Sequence, residues 1–153
     1  MIADFEKLAS PHSLQPDFKE VFRERSFIAF ENEAKAIPGV KELINQLEIP
    51  FCVASSGPLK KIKFNLNIID LLEYFEKNIF SAYDIQKWKP EPDIFLYAAK
   101  EMGFDPEDCL VIEDSLAGIQ AGLSGGFDVV AYDPSGEHKD CLLYTSPSPR
   151  DRG

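Results

Sequence analysis

Two short apolar runs constrain this chain most: Phe51-Cys52-Val53-Ala54 and Cys109-Leu110-Val111-Ile112. Each stops at a polar cluster, Ser55-Ser56-Gly57 after the first and Glu113-Asp114-Ser115 after the second. Runs of that length, bounded by turn residues, read as buried strands entering loops. Weaker runs of the same kind are Asn78-Ile79-Phe80-Ser81 and Asp128-Val129-Val130-Ala131-Tyr132. Helical spacing separates them. Val40, Leu43, Ile44 and Leu47 share one helical face, and polar helical material runs from Leu59 to about Phe75. Phe95, Ala98, Ala99 and Met102 form the inner face of another helix. Leu116, Ile119 and Leu123 form that of a third, which ends at Gly125-Gly126. Strands alternating with helices predict an α/β fold with a Rossmann-like parallel sheet covered on both faces. Near-continuous apolar strands fit that burial. In such sheets ligands bind at the carboxyl ends of the strands, so Ser55-Ser56-Gly57, Lys89 and Glu113-Asp114 are expected to converge.

The ends of the chain differ from this rhythm. Residues 1–36 are helix-rich: Pro16-Asp17 suits a helix start, and Phe18, Val21, Phe22, Ile28 and Ala29 fall near one stripe. Pro38-Gly39 marks a break, after which a core is expected over residues 37–135. The last residues, 136–153, read as a tail outside the fold. From Cys141 to Asp151 the tail matches, codon for codon, a translated transposase-type sequencing adapter, and it is set aside from fold reasoning as a scar would be.

With 44% hydrophobic and 27% charged residues, the 153-residue chain has material for one ordinary core. Its formal net charge of -10 repels phosphate backbones and anionic lipid, which argues against nucleic acid or a membrane surface as partner. A small phosphorylated metabolite stays compatible, since a local pocket can be positive on an acidic protein. No apolar run approaches the roughly 18 residues of a membrane span. The start, Met1-Ile2-Ala3-Asp4-Phe5-Glu6, lacks the flank and apolar stretch of a signal peptide, which predicts a cytoplasmic protein. Three cysteines, Cys52, Cys109 and Cys141, with no CxxC, argue against a disulfide framework or a zinc site. Cys52 and Cys109 read as buried structural thiols.

Each polar cluster has two readings in isolation. Ser55-Ser56-Gly57 can hold phosphate oxygens through a hydroxyl and backbone N–H groups, with Gly57 allowing close approach; a plain strand-to-helix turn also accounts for it. Lys89 sits in a loop stiffened by Pro90 and Pro92, so it can aim an ammonium at an anion, or it can be a solvent lysine. Glu113 and Asp114 are adjacent acids after four apolar residues. Mutual repulsion and desolvation penalise both charges. A Mg²⁺ ion relieves both penalties, because carboxylate oxygens are its preferred ligands. The other reading makes Asp114 or Ser115 only the N-cap of the next helix.

Together, Val53-Ala54-Ser55-Ser56-Gly57, Trp88-Lys89-Pro90-Glu91-Pro92-Asp93 and Val111-Ile112-Glu113-Asp114-Ser115-Leu116-Ala117-Gly118 resemble the second, third and fourth motifs of the haloacid dehalogenase (HAD) superfamily. The branch resembled carries a helical cap inserted after the first strand, and the similarity runs from about Pro38 to Asp133. Residues 1–36 then look like the remnant of that cap. The stretch from Phe80 to Pro90 is similar to sugar-phosphate phosphatases of the 6-phosphogluconate phosphatase type. The resemblance implies a Mg²⁺-dependent phosphomonoester hydrolase acting on a small sugar phosphate through an aspartyl-phosphate. It assigns Ser55, Ser56, Gly57 and Lys89 to the phosphoryl group, with Ser55 and Lys89 as catalytic residues, and Glu113 and Asp114 to the metal. The family's first motif, an apolar strand followed by Asp-x-Asp-Gly-Thr, has no counterpart in residues 1–37; neither Asp4 nor Asp17 fits it. The expectation is therefore a HAD core lacking its first strand, inactive as written. A β-phosphoglucomutase-like mutase and a catalytically inactive binding fragment are the alternatives.

Overall fold

The computed structural model describes residues 15–134. The tail with its adapter-like run, Cys141, Asp4 and the first part of the expected cap remnant lie outside the described residues. In chain order the elements are α1 (Phe18–Glu33), α2 (Val40–Gln46), β1 (Val53–Ser55), α3 (Leu59–Ile68) and α4 (Leu72–Phe75). They continue with β2 (Ile79–Ser81), α5 (Ala82–Ile85), α6 (Asp93–Met102), a 3-10 turn (Pro106–Asp108), β3 (Leu110–Glu113), α7 (Leu116–Ser124) and β4 (Asp128–Ala131). The architecture is α/β with parallel strands, as the alternation predicts.

Among the described residues the strands form two parallel pairs, β1 with β2 and β3 with β4. Val53 lies opposite Ile79 and Ser55 opposite Ser81. In the other pair Val111 faces Val129 and Ile112 faces Val130. One core underlies both pairs: Ile94, Phe95 and Ala99 of α6 pack with Val111, Val129, Ile119, Ala121 and Phe127, and Ala54 and Phe80 lean against them. Phe95 meets Phe127 at 6.0 Å and Tyr97 meets Phe80 edge-on at 5.6 Å. Helix α6 thus spans the two pairs. It earns that place by sequence: Ile94, Phe95, Ala98 and Ala99 all turn inward and are buried, and Gly103 closes the helix in the left-handed conformation (φ 81°). Helix α7 lies so close to its strands that a Cβ at Gly122 would stand 2.7 Å from Val129 Cγ2, which only glycine tolerates.

Several expectations need correction. The run Cys109–Ile112 is not buried on both faces: Leu110 is 58% and Ile112 62% exposed, and Val130 beside Ile112 is exposed too. Val111 and Val129 point toward α7, whereas the opposite face has no covering helix among the described residues, so the strand alternates. In α1, Phe22, Ile28 and Ala29 are exposed. The more sheltered stripe runs through the half-buried Val21 and Phe27 instead, with Phe27 set edge-on against Phe64 of α3 at 4.8 Å. Leu43 and Leu116 are likewise exposed, while their helix mates Ile44 and Ile119 are buried. The helical stretch from Leu59 to Phe75 breaks at Asp70, which takes a left-handed φ of 53° between α3 and α4.

Cys52 and Cys109 are free and half-buried rather than fully buried. Burial pushes the Cys52 thiol above its ordinary pKa, with a smaller push from Cys109. Cys109 is raised by burial first, then by Asp108 and Asp105. Among the described residues no helix is long and apolar enough to cross a membrane.

Candidate active site

Two of the polar clusters sit at strand ends, and Lys89 lies in the loop between α5 and α6. β1 ends on Ser55, whose Oγ accepts a hydrogen bond from the Gly57 N–H at 3.1 Å. Ser55, Ser56 and Gly57 are all half-buried. The neighbouring strand β2 ends on Ser81, which is completely buried. Its Oγ donates to the Gly57 carbonyl at 2.7 Å and accepts from the Tyr83 N–H at 3.2 Å, capping α5. Ser81 was not singled out in the sequence. The signal was present, because it ends an apolar run as Ser55 does.

From α5 the chain turns through Gln86, which has a left-handed φ of 55° and whose Nε2 donates to the Tyr83 carbonyl at 2.7 Å. Tyr83 and Trp88 stand edge to face at 5.6 Å on this turn. Lys89 follows. Its peptide bond to Pro90 is cis, and Glu91 N–H closes onto the Trp88 carbonyl at 3.0 Å. Pro92 then offers its carbonyl to Phe95 and Leu96, opening α6.

Lys89 is no solvent lysine. Its ammonium donates to Glu113 Oε1 at the end of β3 and lies 4.6 Å from the centre of the Phe95 ring. The side chains of Lys89 and Glu113 are only 12% and 9% exposed. The other carboxylate oxygen, Oε2, accepts from Ser115 Oγ at 2.9 Å and Ser115 N–H at 3.3 Å. Ser115 in turn accepts from Gly118 N–H at 3.0 Å and is the N-cap of α7. The capping alternative is therefore correct for Ser115 and not for Asp114. A Cβ at position 118 would overlap the Glu113 carboxylate, so Gly118 makes the room in which Glu113 reaches Lys89. Asp114 is exposed, and its carboxylate has no partner among the described residues.

The structure thus joins Lys89 to Glu113, and separately ties the Ser55–Gly57 loop to Ser81. No hydrogen bond links the two groups among the described residues. Nor do three Asp, Glu, His or Cys side chains there gather closely enough to form a metal cage. Chemically the arrangement offers a hydroxyl at one strand end, a nearly buried ammonium, one carboxylate already engaged and one open to solvent.

Comparison with known proteins gives this set of side chains a context. The chain is 38% identical over 111 residues to the 6-phosphogluconate phosphatase of Escherichia coli (strain K12), a match covering 72% of this chain and 50% of that protein. The chain therefore spans about half the length of that relative. A crystal structure of a conserved haloacid dehalogenase-like protein of unknown function from Agrobacterium tumefaciens str. C58 superposes with a TM-score of 0.73 at 30% identity. It covers 85% of this chain and 59% of that one. A HAD family hydrolase from Deinococcus radiodurans R1, crystallised with bound phosphate and sodium, superposes with a TM-score of 0.73 at 26% identity, covering 95% and 67%. The profile of haloacid dehalogenase-like hydrolases matches residues 3–126. The resemblance read from Ser55, Lys89 and Glu113-Asp114 thus holds across most of the sequence, and the chain belongs to the haloacid dehalogenase-like hydrolase family.

Proposed function

We propose that this sequence forms the binding half of a Mg²⁺-dependent phosphomonoester hydrolase for a small sugar phosphate. The observation that carries the proposal is the nearly buried Lys89–Glu113 pair, which joins the loop after α5 to the end of β3. Burying two charges is costly unless the geometry repays it, and a site that handles anions gives a reason to keep them. The relative's name, 6-phosphogluconate phosphatase, and the phosphate bound in the Deinococcus structure support a phosphorylated sugar as ligand.

In this reading Ser55 donates its hydroxyl to a phosphoryl oxygen, helped by the amides of Ser56 and Gly57. Lys89 neutralises charge that builds on the phosphoryl oxygens as the bond to the leaving alcohol lengthens. Glu113 and Asp114 would hold Mg²⁺, and the donor set fits: the ion binds through one or two carboxylates and keeps several waters, and Asp114 is open to take that part. When bound, the ion would supply positive charge to the transferring phosphoryl group. Lys89, already paired to Glu113, would hold that carboxylate in place.

An attacking aspartate completes the chemistry: its oxygen bonds to phosphorus, the sugar alcohol departs, and water then cleaves the acyl phosphate. No Asp-x-Asp-Gly-Thr occurs in the sequence. Among the described residues β1 pairs only with β2, and β3 only with β4, so one edge of each is open to a further parallel strand carrying that aspartate. The test compares the 153-residue chain with a version extended at its N-terminus by such a strand, against a panel of sugar phosphates. Turnover is expected only in the extended protein, with loss on chelation of Mg²⁺. No turnover after extension, or turnover indifferent to chelation, would count against the proposal. Equal turnover by the unextended chain would show that the nucleophile lies elsewhere.

A further inference from the structure

A line of hydrogen bonds runs through the loops after β1 and β2, and chemistry fixes its direction at every step. The Tyr83 amide can only donate, so Ser81 Oγ accepts from it, at 3.2 Å. The Gly57 carbonyl can only accept, so the Ser81 hydroxyl hydrogen goes to it, at 2.7 Å. The Gly57 amide can only donate, so Ser55 Oγ accepts, at 3.1 Å. No rotor ambiguity is left: a hydroxyl has one hydrogen, and that of Ser81 is spent. Ser55 is left with its own hydrogen and, among the described residues, no acceptor for it.

We infer that Ser81 is a positioning residue: it orients the Ser55–Gly57 loop so that the Ser55 hydroxyl is presented as a donor to an anionic ligand. The inference rests on the phosphate site proposed above and names a residue which that proposal does not use. Ser81 is fully buried, so the Gly57 carbonyl that bonds to it is drawn into the protein. Gly57 has no side chain to hold its torsions, and Pro58 after it brings no N–H to anchor the next peptide. The Ser81 hydroxyl is therefore what holds the carbonyl side of Gly57. Without it, that carbonyl is free to swing its lone pairs toward the anion, where they repel.

The test measures binding of inorganic phosphate in the presence of Mg²⁺ by the full chain, through calorimetry and the emission of Trp88, the sole tryptophan. Titrations are run well below the melting temperature of each variant. Ser81→Ala is expected to weaken phosphate on the order of tenfold, and Ser81→Thr, which keeps the hydroxyl, to restore most of the loss. Because Ser81 acts through Ser55, the Ser55→Ala/Ser81→Ala double variant should bind no more weakly than Ser55→Ala alone. If Ser81→Ala does not fold, Ser81→Cys, a poorer donor of similar shape, should show an intermediate loss. A lowered melting temperature with unchanged phosphate affinity would make Ser81 merely structural and overturn the inference, leaving the phosphate site standing. Additive losses in the double variant would overturn it as well. Failure of the parent chain to bind phosphate at all would overturn the proposed function and this inference with it.

Discussion

Lys89→Met should destabilise the protein by about 3 kcal/mol, near the low end of what breaking a buried ion pair costs. The figure follows from what each side loses. Lys89 is 12% exposed and Glu113 9%, so neither charge can turn fully to water in the native fold. Removing the ammonium strands a carboxylate that still accepts from the Ser115 amide and hydroxyl, which holds the penalty below the upper end of the range. The contact of Lys89 with the Phe95 ring is lost too; Met returns part of it as apolar packing. Glu113→Gln should cost about 2 kcal/mol, because the side-chain carbonyl of Gln can still accept a hydrogen bond from the lysine, leaving its charge bonded though not neutralised. The double variant Lys89→Met/Glu113→Gln contains no unpaired charge, and should cost only about 2 kcal/mol in all. The resulting coupling energy of about 3 kcal/mol lies at the top of the range for directly contacting residues. Urea unfolding of the four proteins measures it, with unchanged slopes required so that the shifts report stability alone. If the two single losses simply add in the double variant, the charges do not depend on each other, and both the stability reasoning and the anion site built on the pair fail.

Two further outcomes follow from the same geometry. Gly118→Ala should destabilise by about 2 kcal/mol in the parent, because the new methyl overlaps the Glu113 carboxylate and displaces it from Lys89; in a Glu113→Ala background it should stabilise by about 0.5–1 kcal/mol through helix propensity. An equal cost in both backgrounds, read by urea unfolding, would refute the steric account. Cys52 and Cys109 should alkylate slowly in a Cys141→Ser variant. Since burial raises both thiols, the thiolate fraction at neutral pH falls below that of a free cysteine, and the rate should still climb above pH ~8.5. A plateau below that pH would show the thiols to be activated instead.

The fold class was legible because the strands are short apolar runs that stop at polar clusters, a pattern fixed by local chemistry. Boundaries were less so. The run from Phe51 to Ala54 begins two residues before pairing begins at Val53, because Phe51 is apolar for another reason: it packs edge-on against Phe75 at 5.3 Å, and its carbonyl accepts from the Asn78 side chain. Side-chain periodicity cannot tell a residue that pairs from one that only packs. The exposure of Ile112 could not be read at all, since whether an apolar strand face is covered depends on which elements lie over it. Lys89 could be named but not placed, because its partner lies 24 residues away. Ser81 and Gly118 went unassigned for a related reason: each matters through one contact to a motif residue, and while the end of an apolar run marks Ser81 as a strand end, nothing in either neighbourhood shows what it touches.

The two halves of the site are held by different forces. Within β1–β2, backbone pairing and the Ser81 hydroxyl fix the Ser55 loop. Within β3–β4, pairing and the Ser115 cap fix Glu113. Between the pairs no backbone ladder runs among the described residues; what relates them is α6, with Tyr97 on Phe80 on one side and Phe95 on Phe127 on the other. Lys89 belongs by sequence to the first half and by contact to the second, and Phe95 beneath it is also the residue that seats α6. Apolar packing alone is non-directional and would leave the register of the two pairs loosely set. A buried charge pair demands one geometry. The Lys89–Glu113 contact thus supplies the orientation that hydrophobic burial does not, and the chemistry proposed for this site depends on that orientation.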